Sequence, residues 1–67
     1  MKANVIRIKI AMAENCMTTI DVYKKAKLPK TTFNNVLSGR SVRPATLGRV
    51  ARALEVDVRE IMANEEI

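Results

Sequence analysis

With 67 residues, one cysteine and no histidine, the chain can form neither an internal disulfide nor an ordinary zinc site. A hydrophobic content of 48% argues against disorder, and no apolar run is long enough for a membrane span or a signal peptide. A net charge of +5 favours a polyanionic partner. We therefore expect one domain over residues 1–67, without metal or cofactor, in the reducing cytoplasm.

The first predicted helix is capped by Asn4 and runs to about residue 15. Its opening letters, VIRIKI, alternate apolar and charged residues, which is also typical of a half-buried strand. The continuation AMAEN lacks β-branched residues and no partner strand is evident, so a helix is favoured. Two apolar stripes run along it, and Ile6 and Ile10 belong to the second.

The second predicted helix covers residues 19 to about 27. Thr18 and Asp21 have the spacing of a capping box, in which each side chain binds the other residue's backbone amide. Lysines form its outer face. Its inner face is predicted to contain Tyr23 and Ala26, together with either Ile20 or Val22.

The third predicted helix begins at Pro29 or Lys30, because proline lacks an amide hydrogen and fits the start of a helix. Gly39 is typical of the position just past a helix end. Phe33, Val36 and Leu37 recur at helical spacing and predict the inner face. The polar residues left for the other faces are Lys30, Thr31, Thr32, Asn34 and Asn35.

Pro44 predicts the start of a fourth helix, with an apolar face of Leu47, Val50, Ala51 and Leu54. Gly48 lies in its middle, where a missing side chain could permit another helix to approach. A fifth helix is predicted from Asp57 and Glu60, which have capping-pair spacing. The acidic end, residues 63–67, is expected to fray. The predicted fold class is all-α, with five short helices.

The positive charge is concentrated in the middle of the chain. Between residues 22 and 54 there are eight basic residues and no acidic one, whereas an ordinary solvated surface intersperses both signs. A short helix with a polar outer face, followed by Arg40 and Arg43, is suited to a DNA groove. An ordinary amphipathic surface helix is the alternative for that segment alone.

The order of these signals resembles the Cro/repressor-type helix-turn-helix domains of lambdoid phages and their bacterial relatives. The similarity extends over about residues 4–62 and is most specific in LSGRSVRPATLGRVARALEVDVREIM. It implies a compact five-helix bundle whose second and third helices form the helix-turn-helix. The residues that fit the family pattern are Gly39, Pro44, Leu47, Ala51, Leu54, Val56 and Ile61.

The resemblance also implies a role for each polar residue in binding double-stranded DNA through the major groove. Lys30 and Thr31 would enter the groove first, with Asn35 one turn further on. Thr32 and Asn34 would flank them, and Thr19 would bind a phosphate. Ser38, Gly39, Arg40 and Arg43 match the loop that grips the DNA backbone. A weak homodimer, strengthened on DNA, would use the region around Val56 and Val58.

Two departures from the family pattern concern turns. The family often has glycine where this chain has Cys16 and Lys27, and a non-glycine residue in the left-handed conformation costs on the order of 1 kcal/mol. Either these turns have another shape or the protein tolerates the strain.

The leading functional hypothesis is a sequence-specific DNA-binding regulator, most simply a repressor that binds a palindromic operator as a dimer. An antitoxin of the same fold, binding a partner toxin, is the runner-up. A non-DNA interaction module and a basic membrane-surface peptide fit the charge distribution less well. We do not expect an enzyme, because the chain has no histidine and no base beside its single cysteine.

Overall fold

The computed structural model describes residues 1–63, which form five α-helices and no strand. This confirms the predicted all-α fold, including the helix favoured over a strand at the start of the chain. The predicted fraying of the acidic end falls mainly on residues 64–67, which lie outside the described residues. No helix within the described residues is long and apolar enough to span a membrane. The helices are α1 (Val5–Glu14), α2 (Thr19–Lys25), α3 (Lys30–Leu37), α4 (Pro44–Leu54) and α5 (Val58–Ile61).

The starts of the first two helices follow their local sequence. The Asn4 side chain accepts a hydrogen bond from the Arg7 amide at 3.1 Å. The capping box of α2 is complete, since the Asp21 amide donates to the Thr18 hydroxyl and the Thr18 amide donates to the Asp21 carboxylate. These bonds to Thr18 hold the pKa of Asp21 below its ordinary value. The helix start is therefore stabilised by a charged carboxylate at neutral pH.

The first four helices end in one type of hydrogen-bonded turn. In α2 the Lys27 amide donates to the Lys24 carbonyl at 3.1 Å, and the Leu28 amide donates to the Tyr23 carbonyl at 2.9 Å. This Schellman arrangement places one residue in the left-handed conformation, for which glycine is usual. The left-handed residues of α1 to α4 are Cys16 (φ 54°), Lys27 (φ 59°), Gly39 (φ 82°) and Glu55 (φ 60°).

The question left open for Cys16 and Lys27 is therefore answered by the backbone. Both residues keep the left-handed turn, so the protein tolerates the strain instead of reshaping the turns. Glu55 adds a third such position that the sequence analysis did not anticipate. Its carboxylate accepts a hydrogen bond from the Lys25 ammonium at 3.1 Å, which connects the end of α4 to the end of α2.

The core is one cluster of buried side chains, all aliphatic except Phe33. Of the two candidates for the inner face of α2, Val22 is fully buried, whereas Ile20 is half exposed. Tyr23 packs beside Phe33, with ring centroids 6.5 Å apart and the rings tilted by 50°. The largest fully buried side chains are Ile8, Val22, Phe33, Val36, Leu47, Val50, Leu54 and Ile61.

Two predictions about the second half of the chain are wrong. A side chain added at Gly48 would meet nothing within 4 Å, so this glycine does not admit a neighbouring helix. Asp57 caps α5, but it binds the amide and the guanidinium of Arg59 at 2.8–3.1 Å instead of forming a reciprocal pair with Glu60. The Arg59 side chain competes successfully because it brings two charge-assisted donors to one carboxylate.

The amino-terminal residues close the bundle. The Asn4 amide donates to the Ile61 carbonyl at 2.7 Å, and an isolated antiparallel bridge joins Ala3 to Met62. The Asn15 side chain, at the end of α1, donates to the carbonyls of Ala11 and Leu54. These contacts fix both ends of α1 against α4 and α5.

Candidate nucleic-acid interface

The polar face of α3 is formed by residues that the buried face leaves pointing outward. Phe33 and Val36 are fully buried, while Lys30, Thr31 and Asn34 are exposed and Thr32 and Asn35 are half-buried. No side chain caps the start of α3, because Pro29 occupies that position. The helix therefore presents Lys30 and Thr31 at its free amino-terminal end.

An open groove joins this face to the segment that follows. Its volume is about 530 Å³, and it lies between α3, the α3–α4 loop and the start of α4. Thr32 and Asn35 contribute one wall, and Arg43 contributes the other. Ser41, Val42 and Thr46 complete the lining, and the sequence analysis missed all three. The available signal for Thr46 was that it is the one hydroxyl side chain of α4.

The end of α3 differs from the other Schellman turns in chemistry. The two positions whose backbones pair across the turn are Asn35 and Arg40, whereas α2 has Tyr23 and Leu28 there. In α1 and α4 these positions are also apolar. An apolar pair commonly covers such a turn. At α3 both positions instead carry side chains that can hydrogen-bond, and Asn35 lines the groove.

The backbone of the α3–α4 loop is already bonded internally. The amides of Ser38, Gly39 and Arg40 donate to the carbonyls of Asn34, Val36 and Asn35, at 2.9–3.2 Å. The Ser38 hydroxyl donates to the Asn35 carbonyl at 3.0 Å. Ser38 and Gly39 are therefore placed to shape the loop, whereas the side chains of Arg40 and Arg43 form no hydrogen bond or ion pair within residues 1–63.

The amino terminus of the chain supports the same loop. The Met1 ammonium donates to the Ser41 hydroxyl at 2.9 Å and to the Val42 carbonyl at 3.1 Å. The Val42 amide donates back to the Met1 carbonyl at 2.7 Å. These bonds hold the loop against the bundle and add a positive charge beside the groove. No sequence signal pointed to this contact, because about forty residues separate the partners.

Thr19 lies at the first position of α2 and is exposed. Its backbone amide has no hydrogen-bond partner among the described residues, as expected for the first turn of a helix. Asp21 is the one acidic residue of that turn, and its carboxylate is occupied by Thr18. Thr19 thus offers both a hydroxyl and a free amide to an anion.

Most of the basic residues near this surface carry uncompensated charge. The described residues contain two ion pairs, Lys25–Glu55 and Arg59–Asp57. Lys30, Arg40 and Arg43 take part in neither. Within residues 1–63 no group of three or more potential metal ligands comes together, so the structure provides no side-chain cluster for a metal ion. The groove is consequently a positively charged surface lined with hydrogen-bonding groups.

The sequence matches a protein-family model. The sequence model described as a Cro/C1-type HTH DNA-binding domain matches residues 7–66. No protein in the curated set matches significantly. The matched segment includes all of α2 and α3 and the loop that follows.

Proposed function

Because the chain belongs to the Cro/C1-type HTH DNA-binding family, we propose that it is a regulator of transcription that binds double-stranded DNA sequence-specifically, most simply as a repressor. The observation that carries this proposal is the groove that brings Thr32 and Asn35 of α3 together with Arg43 of the loop. A DNA-binding protein needs base-reading and phosphate-binding groups on one surface. The proposed activity is binding, without catalysis.

The reading positions are assigned from the start of α3. Lys30 and Thr31 are exposed at its amino-terminal end, the part of a recognition helix that contacts base edges in related folds. Lysine can donate to guanine, asparagine can pair with adenine through two hydrogen bonds, and a threonine methyl can contact thymine. Asn35 lies one turn further on, and Thr32 and Asn34 flank these positions.

The phosphate-binding positions lie on both sides of α3. Arg40 and Arg43 carry long, permanently charged donors beyond the end of the helix. Thr19 offers its amide and hydroxyl at the start of α2, and Ser38 and Gly39 set the path of the loop between them. Contacts of this kind fix the register of a protein on DNA without selecting a sequence.

We further propose that two copies bind a palindromic site. Val56 and Val58 lie at the α4–α5 turn and are half-buried, so each leaves part of its side chain for a neighbouring subunit. This surface is small, and the dimer is therefore expected to be weak until DNA brings two subunits together.

Selection of bound sites from random duplexes tests the whole proposal. We expect a consensus with two-fold symmetry, and failure to enrich any sequence would contradict sequence-specific binding. The salt dependence provides a second measurement. If each subunit neutralises about three or four phosphates, log K should fall against log[salt] with a slope of roughly −5 to −7. A slope near zero would refute docking of this surface on DNA.

Substitutions of Lys30 and Arg43 should weaken DNA binding in different ways. Lys30→Ala is expected to change base preference at one position, at a cost of about 1–3 kcal/mol for the preferred site. Arg43→Ala is expected to weaken all duplexes nearly equally, because phosphates carry no sequence information. Lys9→Ala, which removes a positive charge on α1, is the control. Equal preference profiles for the first two variants would show that the assignment of reader and phosphate binder is wrong.

An antitoxin of the same fold remains the alternative, and one observation favours it. Ile6 and Ile10 of α1 are 71% and 52% exposed, which is unusual for two large apolar neighbours. Such a surface could bind a toxin while α3 binds the operator. A gene product that arrests growth when expressed alone, and whose effect this chain relieves, would support the alternative. Loss of that relief in Ile10→Ser, with DNA affinity unchanged, would assign it to this surface.

A further inference from the structure

The face of α1 opposite its buried side combines exposed apolar residues with an open groove. Ile6 and Ile10 lie one helical turn apart, and of the large apolar side chains exposed within residues 1–63 they are the two that are neighbours on one helix. They border a groove of about 490 Å³ between α1 and α5. Ala11 and Ile61, both buried, line its floor. Apolar neighbours beside a groove indicate a surface that is covered by a partner.

Two opposite charges lie on the same face. At 3.6 residues per turn, Ile6, Arg7, Ile10 and Glu14 fall within about 100° of the helix circumference. We call these four residues the α1 stripe. Arg7 and Glu14 are exposed and belong to neither of the ion pairs in the described part of the chain. They are separated by seven residues, so they lie at equivalent positions of a heptad in which Ile6 and Ile10 occupy the seam.

This spacing selects one partner and one orientation. We propose that the α1 stripe binds the α1 stripe of a second copy of this chain, with the two helices antiparallel. A two-fold axis passing between residues 10 and 11 places Arg7 of each copy opposite Glu14 of the other, so the contact contains two ion pairs. The same axis brings Ile10 of the two copies to nearly the same height along the paired helices, so each covers the other from water. A parallel arrangement would instead oppose like charges.

The neighbouring charges agree with this arrangement. Glu60 of α5 also lines the groove and adds a carboxylate to its rim. Lys9 lies about 100° around the helix from Ile10, outside the stripe. The contact thus has Ile10 of both copies at its centre and opposite charges on either side, as expected of a specific protein interface.

The contact extends beyond the proposed function and does not depend on it. The groove is lined by none of the residues assigned to DNA, so a copy bound there leaves α3 and the α3–α4 loop accessible. Val58 is not part of the lining either, although Val56 is. A single domain on DNA, whose Val56 is not covered by a neighbouring subunit, can therefore attach a second domain through α1.

Exchange of the two charges tests the proposal without DNA. Sedimentation equilibrium of the full chain between about 10 µM and 1 mM measures the dissociation constant, and circular dichroism verifies folding. Arg7→Glu and Glu14→Arg should each weaken the dimer about tenfold, because each converts two attractive pairs into two repulsive ones. The double variant should return to within about threefold of the wild type, since its pairs are opposite in sign again.

Lys9→Glu is the matched control, because it makes the same charge change as Arg7→Glu on the same helix but outside the stripe. We expect its dissociation constant to stay within about threefold of the wild type. A wild-type chain that remains monomeric up to about 1 mM overturns the proposal. So does a dimer whose single variants behave like the control, or a double variant that fails to recover. Ile10→Ser should abolish the dimer, and a dimer that survives this change places the interface elsewhere.

Discussion

Replacement of Lys27 by glycine should stabilise the protein although it removes a side chain. Lys27 has φ 59°, where an L-residue is disfavoured by roughly 1–2 kcal/mol relative to the right-handed helix. Glycine removes this cost but increases the entropy of the unfolded chain, which offsets about 0.4–1 kcal/mol. The expected net gain is about 0.5 kcal/mol. Cys16→Gly should give a similar gain, and the two should add because the turns are separate.

Urea and thermal denaturation followed by circular dichroism measure this effect. A combined gain of about 1 kcal/mol corresponds to a rise in Tm of roughly 4–8 °C for a domain of this size. Lys24→Gly is the matched control, since Lys24 lies inside α2 and should lose about 1 kcal/mol on the same substitution. Gly39→Ala should also destabilise, purely through its φ of 82°, because an added Cβ there meets no neighbour. If Lys27→Gly destabilised as much as Lys24→Gly, the reasoning from the left-handed turns would be refuted.

Three further predictions concern stability. Asn15→Ala should cost about 1 kcal/mol in urea denaturation, because its amide joins the carbonyl ends of α1 and α4. The bonds from Arg59 lower the pKa of Asp57 from 3.8 to about 2. The contribution of Asp57 to the free energy of unfolding is therefore complete above about pH 4 and is lost as the pH falls towards 2. Asp57→Asn should make the free energy of unfolding less dependent on pH in that window. Met12→Arg should destabilise the fold by several kcal/mol, because Met12 is half-buried against the core. Leu37 is half-buried against the same core, and adding Leu37→Glu should recover part of the loss by pairing the two introduced charges; a purely additive double variant would show that the two side chains do not touch.

The sequence was sufficient wherever a signal acts within one or two helical turns. The capping box of Thr18 and Asp21, the start of α4 at Pro44 and the apolar face around Leu47 depend on neighbours three or four residues away. Such contacts form in any helix that carries these residues. For the same reason the polar face of α3 could be predicted as a DNA-reading surface, and the family match confirms the class of domain.

Local signals failed where two solutions of similar energy compete. The spacing of Asp57 and Glu60 allows a reciprocal capping pair, but Arg59 offers the Asp57 carboxylate a competing ion pair. The charge-assisted bonds to the Arg59 guanidinium prevail. A glycine in the middle of a helix is compatible with close packing of a second helix, but a Cβ added at Gly48 would meet no atom within 4 Å. Neither outcome depends on spacing alone, so the pattern could not distinguish them.

Only the tertiary structure decided which distant residues meet. The groove unites α3 with Ser41 and Thr46, and the Met1 ammonium holds the loop that carries Arg43. Lys27 likewise adopts the left-handed conformation between α2 and α3, against the preference of lysine. The sequence by itself determined which faces are polar, because periodicity is a local property of the chain. The fold determined which of those faces come together, because that depends on the packing of the whole core.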